Sequence, residues 1–228
     1  MEIILALIAY FIYALFWGRL FMHALLWFRA AERYRFGAPH PRGTSFGVWI
    51  LGLLDIICFR RLFGENKLLW LGSWTFHVCF ILVVVRHLRF FMDPVPGCVT
   101  SLQPFGLAAG YVLPVATAYI AALRICGMRE SYVSYRNYVV LGLVFAISAV
   151  GLVMRNFFVP DLVDVKEFGL GILRFGPSAV PGGYVFLAHF SLVLLLIPYL
   201  PVHLFTAPCV TMEARRREAA LTMVMHER

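Results

Sequence analysis

The stretch LLWLGSWTFHVCFILVVVRHL, residues 68–88, carries no charged side chain before Arg86. As an α-helix it would rise about 31 Å, close to the thickness of a bilayer's hydrocarbon core. It also holds two histidines, His77 and His87, at a depth where ionisable groups are expensive and therefore point to function. A span of this kind, repeated along the chain, decides the fold class.

Four further apolar runs are long enough to cross a membrane. The five predicted spans cover about residues 3–28, 68–88, 105–125, 138–158 and 184–205, with 206–228 as a cytoplasmic tail. The run before Arg29 has Glu2 in place of a basic start and is too long for a secretory signal. Phe46–Phe59 is apolar but too short to span; with Asp55 near its end and Arg60–Arg61 after it, it reads as an interfacial helix. The stretches between spans, including MDPVPGC and GPSAVPGG, read as loops. The expected fold is all-α: a single integral membrane bundle of five transmembrane helices plus a short interfacial helix.

Composition agrees. Of 228 residues, 61% are hydrophobic and 14% charged, with a mean hydropathy of +0.82. A soluble domain carries about 25% charged residues, so a soluble enzyme, a disordered chain and a disulfide-stapled secreted domain are excluded. Cys58, Cys79, Cys98, Cys126 and Cys209 form no C-x-x-C pair and no haem-attachment signature. Phosphate-binding glycine loops and hydrolase triads are missing as well.

The net charge of +8 reports topology rather than nucleic-acid binding. Placing the loops after spans one and three and the tail on one side gathers 14 of the 20 basic residues there: 29, 33, 35, 42, 60, 61, 67, 124, 129, 136, 215, 216, 217 and 228. Only Arg89, Lys166 and Arg174 fall opposite, while Arg19, Arg86 and Arg155 lie within spans or at their ends. The expectation is an N-terminus outside and a C-terminus in the cytoplasm.

Of seven histidines, four fall in two spans: His77 and His87 in the second, His189 and His203 in the fifth. These spans run in opposite directions, so His77 and His203 lie toward the cytoplasm and His87 and His189 toward the outside. Each level offers one imidazole from each helix, as two stacked bis-histidine haems require. The spacings differ, about 15 Å of rise against about 21 Å, but Pro198 and Pro201 predict a kink that shortens the fifth span. Arg86 and Arg89 flank His87 and suit haem propionates, though they also suit plain snorkelling to the interface. A haem-poor structural anchor and a proton-relay transporter built on the same histidines are the competing readings.

FHVCFILVVVRH (76–87) and AHFSLVLLLIPYLPVHLFTAP (188–208) together resemble the gamma subunit of respiratory nitrate reductase. That family is a five-span cytochrome b with two haems between spans two and five. The shared features are the ten-residue histidine spacing, the leading histidine of the fifth span, a mid-helix proline before an aromatic, and a histidine shortly before Ala-Pro. The chain departs from the family at Leu200–Pro201, where a small polar residue and a base are usual, and in a shorter interval between the fifth-span histidines.

The resemblance implies an inner haem b on His77 and His203 and an outer one on His87 and His189. It implies a respiratory subunit of the bacterial cytoplasmic membrane, nearest the versions in redox complexes of sulfate-reducing bacteria. Such a subunit carries electrons between a quinone pool (menaquinone) or a periplasmic multihaem cytochrome c and a cytoplasmic iron–sulfur subunit of heterodisulfide-reductase type. Other membrane subunits would accompany it.

Overall fold

The computed structural model describes residues 2–33, 46–126 and 135–226. Arg35, Arg42, Arg129 and Arg228, counted above among the basic residues, lie outside them. Among the described residues the α-helices are α1 (Glu2–Arg33), α2 (Phe46–Ile57), α3 (Arg60–Glu65), α4 (Lys67–His87), α5 (Gly97–Ser101), α6 (Gln103–Cys126), α7 (Tyr135–Phe157), α8 (Leu162–Leu173), α9 (Tyr184–Leu196) and α10 (Ala207–His226). The described residues contain no strand. Among the described residues four helical stretches are long and apolar enough to cross a membrane: Glu2–Arg29, Lys67–Phe90, Gln103–Cys126 and Tyr135–Phe157. The broken pair Tyr184–Tyr199 and Val202–Thr222 makes a fifth if counted as one span. The protein is an all-α, multi-pass membrane protein with one further short apolar helix, Phe46–Ile57.

The chain divides into two compact units. The first comprises Met1–Ile12 and Leu71–Ile197. Within it α6 packs on α7, and α7 on α9. Helix α4 approaches α6 closely at two glycines. A Cβ at Gly106 would come within 2.7 Å of the Arg86 Cβ, and one at Gly72 within 2.7 Å of the Tyr119 ring. Pro114 interrupts α6 without a donor. The fully buried Thr117 hydroxyl donates to the carbonyls of Leu113 and Pro114 on that turn. The core gathers Leu5, Ala9, Phe168, Phe186 and Leu194, with Phe168 edge-on to both Phe186 and Phe190. Many other apolar side chains face outward, among them Ile81, Val115 and Leu195, as a lipid-facing surface requires.

Two stretches read as loops contain helix. Residues 162–173 form α8, capped by the Asp161 carboxylate, which accepts from the Val163 amide at 2.8 Å. The cap and the apolar face carrying Phe168 outweigh the high polarity of LVDVKEF. Helix α5 is likewise a short turn inside the proline-rich stretch before α6.

The second unit comprises Tyr13–Trp70 and Pro198–Arg228. Helix α2 lies against α10. The junction is polar: Asp55, with a fully buried side chain, accepts from Arg61 Nε at 3.3 Å and from Nε and Nη2 of Arg215, the former at 2.8 Å. Arg61 also donates to Glu218 at 2.6 Å. The other face of α2 stays exposed through Phe46, Trp49, Ile50, Leu53 and Ile57. Between α2 and α3, Phe59 adopts left-handed dihedrals (φ 50°, ψ 40°). Trp70 Nε1 donates to the Cys58 carbonyl at 2.7 Å and braces that turn.

The fifth apolar stretch is broken where its prolines fall. Helix α9 stops at Leu196, Ile197–Tyr199 is a 3₁₀ turn, and Val202–Thr206 is a π-turn leading into α10. Pro198 and Pro201 supply no amide donors, so the regular ladder cannot pass through them.

Candidate functional site

His87 stands in the last turn of α4 and His189 in the second turn of α9. Their rings face each other with centroids 6.3 Å apart and planes 18° from parallel. His87 Nδ1 lies 2.7 Å from the Val83 carbonyl, four residues back on its own helix. His189 Nδ1 lies 3.1 Å from the carbonyl of Ile147, on α7. A carbonyl only accepts, so each Nδ1 carries the proton and each Nε2 keeps its lone pair.

That arrangement fits a metal held between the rings. Two metal–nitrogen bonds of about 2 Å, with the step from each nitrogen to its ring centre, span about the observed separation. Nδ1–H donation to a carbonyl is also the usual way a ligating imidazole is oriented and made more basic. No cluster of three or more His, Cys, Asp or Glu occurs among the described residues. A haem would bring its own nitrogen donors, so His87 and His189 would suffice to hold it without such a cluster.

The other two predicted ligands are placed differently. His77, on α4 in the first unit, has Nδ1 2.7 Å from the Ser73 carbonyl, the same own-helix bond that His87 makes. Its ring is edge-on to Phe76, 4.9 Å between centroids. His203 belongs to the second unit and sits in the π-turn Val202–Thr206. Such turns widen a helix locally and recur at functional sites.

Arg86 and Arg89 converge on one residue the sequence reading did not single out. Arg86 Nη1 donates to the backbone carbonyl of Gln103 at 3.1 Å, and Arg89 Nη1 to its side-chain Oε1 at 3.3 Å. Arg89 also lies over the Phe90 ring, 4.6 Å from its centroid, and its Nε is buried without a hydrogen-bond partner. Beside it an open groove of about 220 Å³ is lined by Arg89, Phe90, Val95, Leu162 and Lys166. Asp93 is tied to Lys166, which donates to it at 2.8 Å and holds its carboxyl below the usual carboxylate range. Nothing in the sequence marks Gln103 or Ile147, because a helix-end amide and a backbone carbonyl acquire roles only through packing.

The apolar spans define a class, the multi-pass helical membrane proteins, and in this one two oriented imidazoles face each other. Comparison with known proteins finds similarity to cytochrome b-like subunits. The chain is 30% identical to the "Hdr-like menaquinol oxidoreductase cytochrome b-like subunit" of Archaeoglobus profundus, over 69% of this chain and 56% of that protein. It is 31% identical to the subunit of the same name from Archaeoglobus fulgidus, over 73% of this chain and 58% of that one. The chain therefore spans somewhat over half the length of the curated relatives it matches. The similarity to these subunits agrees with the resemblance to the redox complexes of sulfate reducers. No family model matches the chain. No solved structure matches it.

Proposed function

We propose that this chain is the cytochrome b subunit of a quinol-linked respiratory complex, binding haem b at His87 and His189. The observation that carries the reading is the facing pair of imidazoles, each with Nδ1 bound to a carbonyl and Nε2 left to ligate. A haem bound there supplies a one-electron carrier inside the membrane. The residues of this chain orient the two rings, exclude water by the apolar packing of α4, α6, α7 and α9, and offer guanidinium groups to propionates through Arg86 and Arg89.

His77 and His203 are the ligands proposed for a second haem. Support comes from their place in the sequence pattern, from the own-helix bond of His77 and from the π-turn carrying His203. The excess of basic residues after the first and third spans supports an outside N-terminus and a cytoplasmic C-terminus. With that orientation the His87–His189 level faces outward, and a menaquinone pool or a periplasmic multihaem cytochrome c is the donor or acceptor there. The basic inner surface then meets an iron–sulfur subunit of heterodisulfide-reductase type, in the cytoplasmic membrane of a bacterium. The printed name of the relatives, a menaquinol oxidoreductase, supports the quinone.

The test is the dithionite-reduced visible spectrum of the purified chain, with haem counted per polypeptide. Two haems b per chain are expected. One haem would remove the second site, and none would leave the structural anchor as the reading.

A further inference from the structure

His189 is oriented differently from the other two histidines whose Nδ1 bonds are described. His77 and His87 bind the carbonyl four residues back on their own helix, so the helix itself sets the ring. His189 reaches across to α7, and its orientation depends on how closely α9 can approach that helix. The contact point is Gly151. A Cβ at 151 would stand 3.0 Å from His189 Cε1 and 3.4 Å from Nδ1, closer than carbon atoms normally pack. Ile147, whose carbonyl accepts from His189, is one helical turn away on the same face of α7. The missing side chain at 151 therefore leaves a slot, and the imidazole lies in it with its donor aimed at the adjacent carbonyl.

We infer that Gly151 is a positioning residue for the outer haem, holding the His189 ring against α7 so that its plane stays near-parallel to His87 and its Nδ1 stays bonded to Ile147. The inference rests on the haem reading above. With 3.0 Å between its Cβ and the ring, a methyl group at 151 makes the imidazole give by a few tenths of an ångström, either by turning or by lifting away from α7. Turning changes the angle between the two imidazole planes. Lifting lengthens the Nδ1–H bond and weakens the ligand as a donor to the metal. Gly142 lies on the same helix with nothing within 4 Å of its Cβ position, so alanine there adds a methyl group in open space.

The experiment compares wild type, Gly151→Ala and Gly142→Ala as full-length protein in detergent. Electron paramagnetic resonance of the oxidised haems and redox titration are the readouts. The g-values of a low-spin bis-histidine haem follow the angle between its imidazole planes. Gly151→Ala should move the largest g-value of one of the two haem signals, shift that haem's midpoint potential and leave the other haem alone. Gly142→Ala should change neither, although both substitutions favour helix equally.

Unchanged signals and potentials in Gly151→Ala would overturn the inference. Wild type without any bis-histidine signal would instead overturn the haem assignment itself. If Gly151→Ala does not accumulate, the exchangeable Nδ1 protons of the outer haem's ligands can be read by electron–nuclear double resonance on the wild type. One proton in a short bond and one in a longer bond are expected, and two alike would overturn the inference.

Discussion

The imidazoles of His87 and His189, 102 positions apart in the chain, stand 6.3 Å centre to centre and 18° from parallel. Both Nδ1 atoms are committed to carbonyls, one on the same helix and one on a neighbouring helix. The two Nε2 lone pairs that remain would be free to hold a haem iron. If they serve one iron, they must be lost together.

His87→Ala and His189→Ala should accordingly remove the same haem and spare a second one, whereas His77→Ala and His203→Ala should both affect the other. Haem stoichiometry and the split of the redox titration in the four variants check this. Loss of the same haem from His77→Ala and His189→Ala would break the pairing.

Arg89 lines the open groove next to the end of α4, and Asp93 is bonded to Lys166, which lines it too; a quinone head group is expected to bind there. Arg89→Ala should slow haem reduction by a quinol analogue at least several-fold while both haems stay bound through their histidines, because Arg89 lines the groove and its Nε has no hydrogen-bond partner among the described residues. Asp93→Ala should slow it as well if the carboxylate accepts a quinol proton. Lys166 keeps Asp93 ionised at pH values below the usual carboxylate range. Whatever the Lys166–Asp93 pair contributes is thus present at neutral pH and is lost only as pH falls through that lowered value. Stopped-flow reduction from pH 5 to 8 should then show no step from Asp93. Unchanged rates in both variants would place the quinone elsewhere.

Asp55 and Arg215 tie α2 to α10 through a carboxylate with no exposed side-chain surface. Removing Arg215 leaves the buried carboxylate with Arg61 alone, and removing Asp55 leaves Arg215 with Glu218 alone, at a cost approaching that of a broken buried pair, about 3–5 kcal/mol. Arg215→Ala and Asp55→Ala should each lower the thermal midpoint of the detergent-solubilised protein sharply. The double variant Asp55→Leu, Arg215→Met should recover much of the loss, since a well-packed apolar pair can replace a buried ion pair. A double variant no more stable than the singles would show that the charges themselves are needed.

Arg60 and Arg61 are adjacent in sequence and differ in role. Arg61 is spent on Asp55 and Glu218, while Arg60 is exposed. Arg60→Glu should weaken association with an acidic partner subunit in a salt-sensitive way and leave stability unchanged. Arg61→Glu should destabilise the α2–α10 junction. Co-purification across a salt series, paired with melting curves, separates the two; equal behaviour of both variants would reduce them to a topology signal.

Much of this protein is legible in one dimension. The membrane class follows from uninterrupted apolar runs, because hydrocarbon admits only segments that satisfy their own backbone. The four intramembrane histidines stand out for the same reason, being costly where they are. The break in the fifth stretch follows from Pro198 and Pro201, whose missing donors act wherever they fall. The helix α8 is not legible there, since its cap at Asp161 and its buried face through Phe168 matter only when there is a core to bury against.

What the tertiary structure decided concerns partners distant in sequence. Asp55 reads as an interfacial charge until Arg215, 160 residues later, covers it. Gln103 becomes a brace because α4 and α6 meet at Gly106 close enough for both arginines to reach it. Ile147 and Gly151 acquire their bearing on His189 in the same way. A carbonyl and an absent side chain have no signature along the chain, and their effect exists only once α9 packs against α7.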